Sequence, residues 1–198
     1  MKKIIGISAL ILSLTLLAFQ LSTKDPVADF LNSLSAEQLD KAQMTFDHDS
    51  KEVWHFFPGT MFPRAGIQLS ELSKDQLVLL HDLLRSYLSE TGYNNTIKII
   101  DLENVLIEMK SNVHMRDPEN YHVAFYGDPL NDHLWAWSFE GHHISLNFTV
   151  LNDKISIAPR FFGASPAIIP SGKRKGERTL ALEEDLGLEL IQNMSDEL

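Results

Sequence analysis

The sequence contains no cysteine. Disulfide bonds, thiolate nucleophiles and thiolate metal ligands are therefore excluded, and packing alone must stabilise the fold. Basic residues are also few: the chain has 17 Lys and Arg against 27 Asp and Glu, which gives a formal net charge of −10. Phosphate binding needs a basic surface, so this balance argues against nucleic acid as a partner.

Long apolar runs are scarce, and the clearest one stands near the start of the chain. Met1-Lys2-Lys3 precedes an apolar run from Ile4 to Phe19. A charged start before a short apolar segment predicts a secretory signal peptide over residues 1–22, too short for a typical transmembrane helix. We expect export to the periplasm or the extracellular space, without stable membrane insertion after cleavage. No clean Ala-x-Ala marks a cleavage site, so an N-terminal membrane anchor is the alternative.

Residues 23–198 read as a single globular domain, since 44% of the chain is hydrophobic. Asp25-Pro26 has the pattern of an N-cap followed by a proline in the first helical turn. Ser35-Ala-Glu-Gln38 and Ser73-Lys-Asp-Gln76 are capping boxes that predict two further helices. Leucines at helical spacing follow the second box, and we expect that helix to end at Gly92.

Two further segments have helical periodicity. Thr96 to Met109 predicts a helix on which Glu103 and Glu108 face solvent, and Thr179 to Leu198 predicts a last helix. Within the first of these, Glu103 is a weak candidate for a site, because charges on a helix face usually contact only water.

Strand patterns dominate the third quarter of the chain. Val123 to Tyr126 and Lys154 to Phe162 predict strands, and Asn152-Asp153 predicts a hairpin turn before the second. Between them, Leu134 to Thr149 alternates apolar and polar residues, but the apolar parity changes from odd to even at Gly141. The chain must therefore turn or bulge there. We predict an α+β domain with helices packed on a small antiparallel β-sheet.

The paired imidazoles at this junction are the leading site candidates. His142 and His143, together with His55 and either Glu140 or Glu119, offer ligands for a divalent transition metal such as zinc, copper or iron. Adjacent histidines in a regular strand point in opposite directions, so only a bulge would let both bind one ion. The chain has no HExxH or comparable ligand spacing.

A metal-free acid–base site is the second hypothesis. His143 would be the base, Glu140 or Glu119 would orient it, and Arg116 would hold a small anionic or polymeric substrate. Arg116 could instead brace a turn through Asp117 or Glu119. Ser145 lacks a Gly-x-Ser-x-Gly elbow, which argues against a serine nucleophile. Either chemistry predicts one site that gathers the residues His142, His143, Glu140, Arg116 and His55.

A non-catalytic binding module is the third hypothesis. Trp54, Trp135 and Trp137 would line a groove for a peptide or a sugar in that case, or would simply belong to the core.

Several motifs occur in an order that resembles a bacterial family catalogued as domain of unknown function 3500. They are Trp54-His-Phe, Arg116-Asp-Pro-Glu-x-Tyr121, Phe125-x-Gly127-x-Pro129, Trp135-x-Trp137-Ser-Phe-Glu-Gly-His-His-x-Ser-Leu-Asn-Phe148 and Phe161-Phe-Gly-Ala-x-Pro166. The resemblance implies no established activity. It implies a longer domain, so we expect a C-terminally truncated member.

The end of the chain repeats a pattern from its beginning. Residues 190–197 echo residues 30–37 in residue character, position for position. Coincidence, an ancient duplication and a shortened member of a longer family are the three explanations.

Overall fold

The structure is a computed structural model, and it describes residues 25–194. The predicted signal peptide and the last four residues lie outside this range. Within residues 25–194, no helix combines the length and apolar character needed to cross a membrane.

Five α-helices form within the described range, and local capping explains where the first ones start. Asp25 accepts hydrogen bonds from the Val27 and Ala28 amides, and the boxes at Ser35 and Ser73 are both complete. The helices are α1 (Pro26–Ser33), α2 (Ala36–Ala42), α3 (Lys74–Tyr87), α4 (Glu90–Glu108) and α5 (Ala181–Gln192). Three short 3₁₀ helices cover Asp49–Glu52, Leu69–Glu71 and Val113–Met115.

The boundary between α3 and α4 differs from the prediction. The first of these helices ends at Tyr87, because Leu88 is extended and Ser89 caps the next helix by accepting from the Gly92 amide. Gly92 therefore lies in the first turn of α4, which starts at Glu90 rather than near Thr96. A serine N-cap satisfies a free helical amide, so it starts a new helix where the leucine spacing alone predicted a continuation.

Six strands form one mostly antiparallel sheet in the described range. They are β1 (Gln43–Met44), β2 (Ile67–Gln68), β3 (His122–Tyr126), β4 (Leu134–Gly141), β5 (Ile144–Leu151) and β6 (Lys154–Phe162). The order is β1-β3-β4-β5-β6, and β2 pairs with the same edge of β3 as β1 does. Only the short β1 runs parallel to its neighbour. This architecture confirms the predicted α+β class.

The core lies between α1–α4 and one face of the sheet. Leu80, Leu83 and Leu84 from α3 are almost fully buried, as is Phe30 from α1. On the sheet, Trp137 stacks on Phe148 at 4.2 Å between ring centroids. Burying such apolar surface contributes about 25 cal/mol per Å², the dominant favourable free energy of folding.

Two of the three tryptophans belong to this core. Trp135 and Trp137 are only 7% and 1% exposed, whereas Trp54 is 42% exposed. The core interpretation is therefore the one that the structure supports for Trp135 and Trp137. A groove lined by all three tryptophans is wrong, because the first two point from β4 towards the helices.

The parity change at Gly141 marks a hairpin turn. Gly141 pairs with Ile144, so the connection between β4 and β5 consists of His142 and His143 alone. The ladder is regular from Leu134 to Gly141, which leaves no bulge at the junction. Reversal of the chain direction, rather than an extra residue, moves the apolar positions from odd to even numbers.

Candidate functional site

The two imidazoles stand at the tip of the β4–β5 hairpin. His143 adopts a left-handed backbone conformation with φ of 62°, which the tight turn requires. The rings of His142 and His143 lie side by side, with centroids 4.0 Å apart. Histidines that would face opposite sides of a regular strand are therefore neighbours here.

Four hydrogen bonds from outside the hairpin hold the backbone of this tip. The surrounding chain contributes two side chains and two backbone groups. The contacts are Arg64 Nη2 to the Gly141 carbonyl (3.0 Å), Tyr121 Oη to the His142 carbonyl (2.9 Å), the His143 amide to the Phe56 carbonyl (2.9 Å) and the Gly163 amide to the His143 carbonyl (2.8 Å). Because buried backbone groups are costly to leave unpaired, these contacts preorganise the position of both rings.

Gly141 is required by the close approach of Tyr121. A Cβ atom at Gly141 would lie 2.0 Å from Tyr121 Cδ1. The ring of Tyr121 is fully buried, and burial raises the pKa of its hydroxyl, which stays protonated and donates to the His142 carbonyl.

Glu103 is the carboxylate that meets the imidazole pair. Its Oε1 atom lies 2.5 Å from His142 Nδ1, and its Oε2 atom accepts from the Asp117 amide at 3.2 Å. The Glu103 side chain is 3% exposed and the His142 side chain 12%. A carboxylate only accepts hydrogen bonds, so Nδ1 is the donor in this contact, and in the neutral ring the lone pair is then on Nε2.

Arg116 completes the cluster from the segment that follows α4. Its Nη1 atom lies 3.2 Å from His142 Nδ1 and 3.9 Å from Glu103 Oε1, and its Nε donates to the Ser111 carbonyl at 3.2 Å. With the Nδ1 proton directed at Glu103, the guanidinium acts on this pair through charge rather than a hydrogen bond. No described residue hydrogen-bonds its Nη2 atom, so that donor is free for an anion.

His143 is held in its neutral form at neutral pH. Burial, and after it the neighbouring His142, lower the pKa of its imidazole to about 4. A neutral ring beside His142 can donate or accept a hydrogen bond without adding a second charge. The imidazole that contacts the Glu103 carboxylate is that of His142, not that of His143.

Glu140 lies on the opposite face of β4, away from Glu103. Ser145 Oγ donates to Glu140 Oε1 at 2.6 Å, and Asn147 Nδ2 donates to Ser145 Oγ at 3.1 Å. Burial raises the pKa of Glu140, while the hydrogen bond from Ser145 and the charge of Arg64 oppose that shift. Ser145 is fully buried in this contact.

His55 also lies on the Glu140 side of the hairpin, beside Arg64. Arg64 Nη2 is 3.3 Å from His55 Nδ1, and it also donates to the Phe57 carbonyl at 2.6 Å. Burial lowers the pKa of His55, and the Arg64 charge lowers it further. The sequence-predicted residues therefore form two groups, one around His142 and one around Arg64.

Glu119 stands apart from both groups. Its side chain is exposed and lines an apolar hollow with Leu77, His81 and Ile100. Neither His142 nor His143 lines this hollow. Solvent reaches the His142 side chain through the 12% of its surface that is exposed.

Comparison with protein families places the whole of this site in one family. A family model described as Protein of unknown function (DUF3500) matches residues 22–198. The chain belongs to the DUF3500 family. The match confirms the resemblance seen in the motifs and includes every residue of both groups. No curated protein and no solved structure matches the chain.

Glu103 is a site residue of this DUF3500 protein that the sequence interpretation ranked only as a weak candidate. The prediction that Glu103 faces solvent is wrong, because it is only 2% exposed. It stands four residues after Ile99 and three before Leu106, both buried positions on α4. That spacing puts Glu103 on the inner face of the helix. A carboxylate among apolar positions of one helix face was the sequence signal that could have predicted a buried, paired Glu103.

The predicted metal ligands His142, His143 and His55 do not come together around one point in the described residues. Among residues 25–194, no three His, Asp or Glu side chains are grouped so that they could hold a metal ion. His55, the third predicted ligand, is beside Arg64 instead of the imidazole pair.

Proposed function

We propose that this DUF3500 protein hydrolyses an acyl bond in a small anionic molecule or at the end of an anionic polymer. His142 is the general base, Glu103 orients it and Arg116 binds the anionic group. The 2.5 Å contact between Glu103 Oε1 and His142 Nδ1 carries this proposal. It matches the arrangement in which a buried carboxylate fixes the tautomer of a catalytic imidazole.

Each proton has a defined place in the proposed reaction. The lone pair on His142 Nε2 takes a proton from a water molecule as its oxygen forms a bond to the acyl carbon. The bond from that carbon to the leaving group then breaks, and Nε2 returns the proton to the leaving group. Glu103 accepts from Nδ1 throughout, so its charge stabilises the imidazolium that forms in between.

Arg116 supplies selectivity for an anion. Its side chain is 12% exposed, and the hydrogen bond from Nε to the Ser111 carbonyl orients the guanidinium. A free Nη2 donor on a fixed fork suits a carboxylate or phosphate oxygen. The net charge of the chain is −10, so Arg116 offers a local positive site on an otherwise acidic protein.

Two other functions from the sequence interpretation stay as alternatives. A divalent transition metal would have His142 and His143 as ligands and would need a further donor from the substrate or from another chain. A binding module without catalysis would use the exposed aromatic side chains near Trp54, which is 42% exposed. The alternatives differ in one observable, because only the hydrolase and the metal-assisted enzyme release product.

We also propose that the protein is exported, with residues 1–22 as its signal peptide and an N-terminal anchor as the alternative. Expression of the full chain in a bacterial host, followed by fractionation and intact mass measurement, tests this. A soluble periplasmic or secreted product lacking about 22 residues is expected. A full-length product in the membrane fraction would support the anchor.

A paired substrate screen tests the hydrolase proposal. The purified protein is incubated with ester, peptide and glycoside substrates, each supplied with and without a carboxylate near the cleaved bond. We expect turnover of an acyl substrate with the carboxylate and little turnover of its neutral partner. His142→Gln should reduce kcat by about 10² to 10⁴, the usual contribution of a general base. Arg116→Gln should raise KM more than it lowers kcat.

His133→Gln is the matched control, because His133 is exposed and lies just before β4, at the far end from the hairpin tip. It should keep the kinetic constants of the unmodified protein. Equal turnover by the His142→Gln variant, or binding of the anion without any turnover in the screen, would refute the catalytic proposal. The second result would favour the binding module.

A further inference from the structure

Five exposed apolar side chains lie together in one loop next to the hairpin tip. The side chains of Val53, Trp54, Phe57, Met61 and Phe62 are all between 42% and 54% exposed. An apolar patch of this kind on a protein surface usually marks a place where a ligand or partner binds. It is separate from the residues assigned to proton transfer.

The rings of this loop and of β6 form a continuous stack, which we call the aromatic row. Its members are Trp54, Phe56, Phe57, Phe62 and Phe161. Ring centroids are 4.1 Å apart for Phe161 and Phe56, 5.3 Å for Phe56 and Phe57, and 5.3 Å for Phe57 and Phe62. Trp54 crosses the end of the stack, edge-on to both Phe56 and Phe161.

The aromatic row is joined directly to the imidazole pair. The Phe56 carbonyl accepts from the His143 amide at 2.9 Å. At Gly163, an added Cβ atom would lie 2.8 Å from His143 Nδ1 and 2.9 Å from Phe161 Cε1. His143 and Phe161 therefore flank the same glycine, and a continuous series of groups runs from Arg116 through both imidazoles to the row.

We propose that the aromatic row binds the apolar, ring-bearing part of the same ligand whose anionic group Arg116 binds. This inference rests on the proposed function for the role of Arg116, and it adds the substrate class. The ligand is an amphiphilic anion: an aryl-substituted carboxylate or phosphate with its charge at one end. A positive site at one end of the series and an apolar surface at the other complement such a molecule.

The geometry of the row suits an aromatic group. Neighbouring rings within the stack are inclined by only 16° to 27°. Aromatic rings attract one another in offset-stacked and edge-to-face arrangements. An aryl group on the ligand can therefore add to the row in the same way as its own members pack together.

Fluorescence quenching of the full chain tests the inference, with biphenyl-4-carboxylate as the probe. Trp54 is exposed, while Trp135 and Trp137 are buried in the core, so iodide quenching reports mainly on Trp54. Biphenyl-4-carboxylate should protect Trp54 from iodide, and acetate and neutral biphenyl-4-carboxamide should not. By calorimetry, the biphenyl acid should bind at least about tenfold more tightly than acetate.

Variants separate the two ends of the ligand. Phe57→Ala should abolish the tenfold preference for the biphenyl acid over acetate while leaving acetate binding unchanged. Arg116→Gln should weaken both acids. Val78→Ala is the matched control, since Val78 is 60% exposed on α3, away from the row, and it should change neither affinity.

Each contrary outcome has a defined meaning. Equal protection by the neutral carboxamide would overturn the inference, because the row would then act without Arg116. Equal affinities for acetate and the biphenyl acid, both lost in Arg116→Gln, would overturn it but leave the proposed function standing. Absence of any anion binding would overturn both. A dimer that dissociates in Trp54→Ala, measured by sedimentation velocity, would assign the row to a second copy of the chain instead.

Discussion

Glu103 and His142 are separated by 39 residues, yet their side chains meet at 2.5 Å. One comes from the inner face of α4 and the other from the tip of the β4–β5 hairpin. Both side chains are mostly buried, at 3% exposed for Glu103 and 12% for His142. Burying a carboxylate costs folding free energy unless the carboxylate is paired. The packing of α4 against the sheet therefore depends on the contact between Glu103 and His142.

Glu103→Gln tests whether the carboxylate stabilises this contact. The substitution keeps the shape of the side chain but removes its charge, and one amide proton then faces the His142 or Asp117 donor. We expect a loss of about 1–3 kcal/mol in the free energy of unfolding, measured by urea denaturation. Glu108→Gln is the control, because Glu108 is exposed on the same helix and should change stability by less than about 0.5 kcal/mol. Equal losses in the two variants would contradict the pairing.

The pH dependence of stability should contain a contribution from His143. The pKa of its imidazole is about 4 in the folded protein and near 6.5 in the unfolded chain. Between these values the unfolded state binds more protons, so the contribution is fully present above pH 6.5 and is lost as the pH falls towards 4.

His143→Asn removes that contribution while keeping a residue that tolerates positive φ. We expect the variant to lose less stability than the unmodified protein when the pH is lowered from 7 to 4.5, as followed by denaturant unfolding at each pH. His55, His81 and His122 also have lowered pKa values and contribute to the dependence that remains. A constant difference in stability at every pH would show that the His143 imidazole does not titrate as described.

Gly141→Ala should be strongly destabilising, because the new Cβ would overlap the buried Tyr121 ring. Forcing extra volume into a packed site typically costs about 1–3 kcal/mol. Gly187→Ala is the matched control. Gly187 lies inside α5 with no atom within 4 Å of the added methyl group, and alanine there should stabilise the helix by up to about 1 kcal/mol. Melting temperatures of the two variants should therefore shift in opposite directions.

Removal of metal should leave the protein unchanged if His142 acts with Glu103. We expect less than one equivalent of transition metal in the purified protein, and no change in melting temperature after dialysis against a chelator. Elemental analysis and thermal denaturation provide the measurements. One equivalent of metal that is lost in both His142→Gln and His143→Asn, but kept in the exposed-site variant His114→Gln, would favour the metal-assisted alternative.

Local signals predicted most of the fold. The capping boxes at Ser35 and Ser73 produced the helices α2 and α3, because a cap is made by residues three positions apart. The parity change at Gly141 predicted a break in the strand, because alternation between the two faces is also set by residues that are close in the chain. The solvent-facing assignment of Glu103 was wrong, since average solvation of helical charges says little about a residue that shares a face with Ile99 and Leu106.

The sequence by itself determined the starts of α1, α2 and α3, the strand parity and the position of both imidazoles at a turn. Each of these depends on hydrogen bonds and sterics among residues that are close in the chain. Only the tertiary structure decided that Glu103 joins the predicted Arg116 beside His142, and that Glu140 and His55 do not. Partner choice depends on how α4 packs against the sheet and on which face of β4 each side chain occupies. Those contacts join residues far apart in the chain, so no short sequence pattern records them.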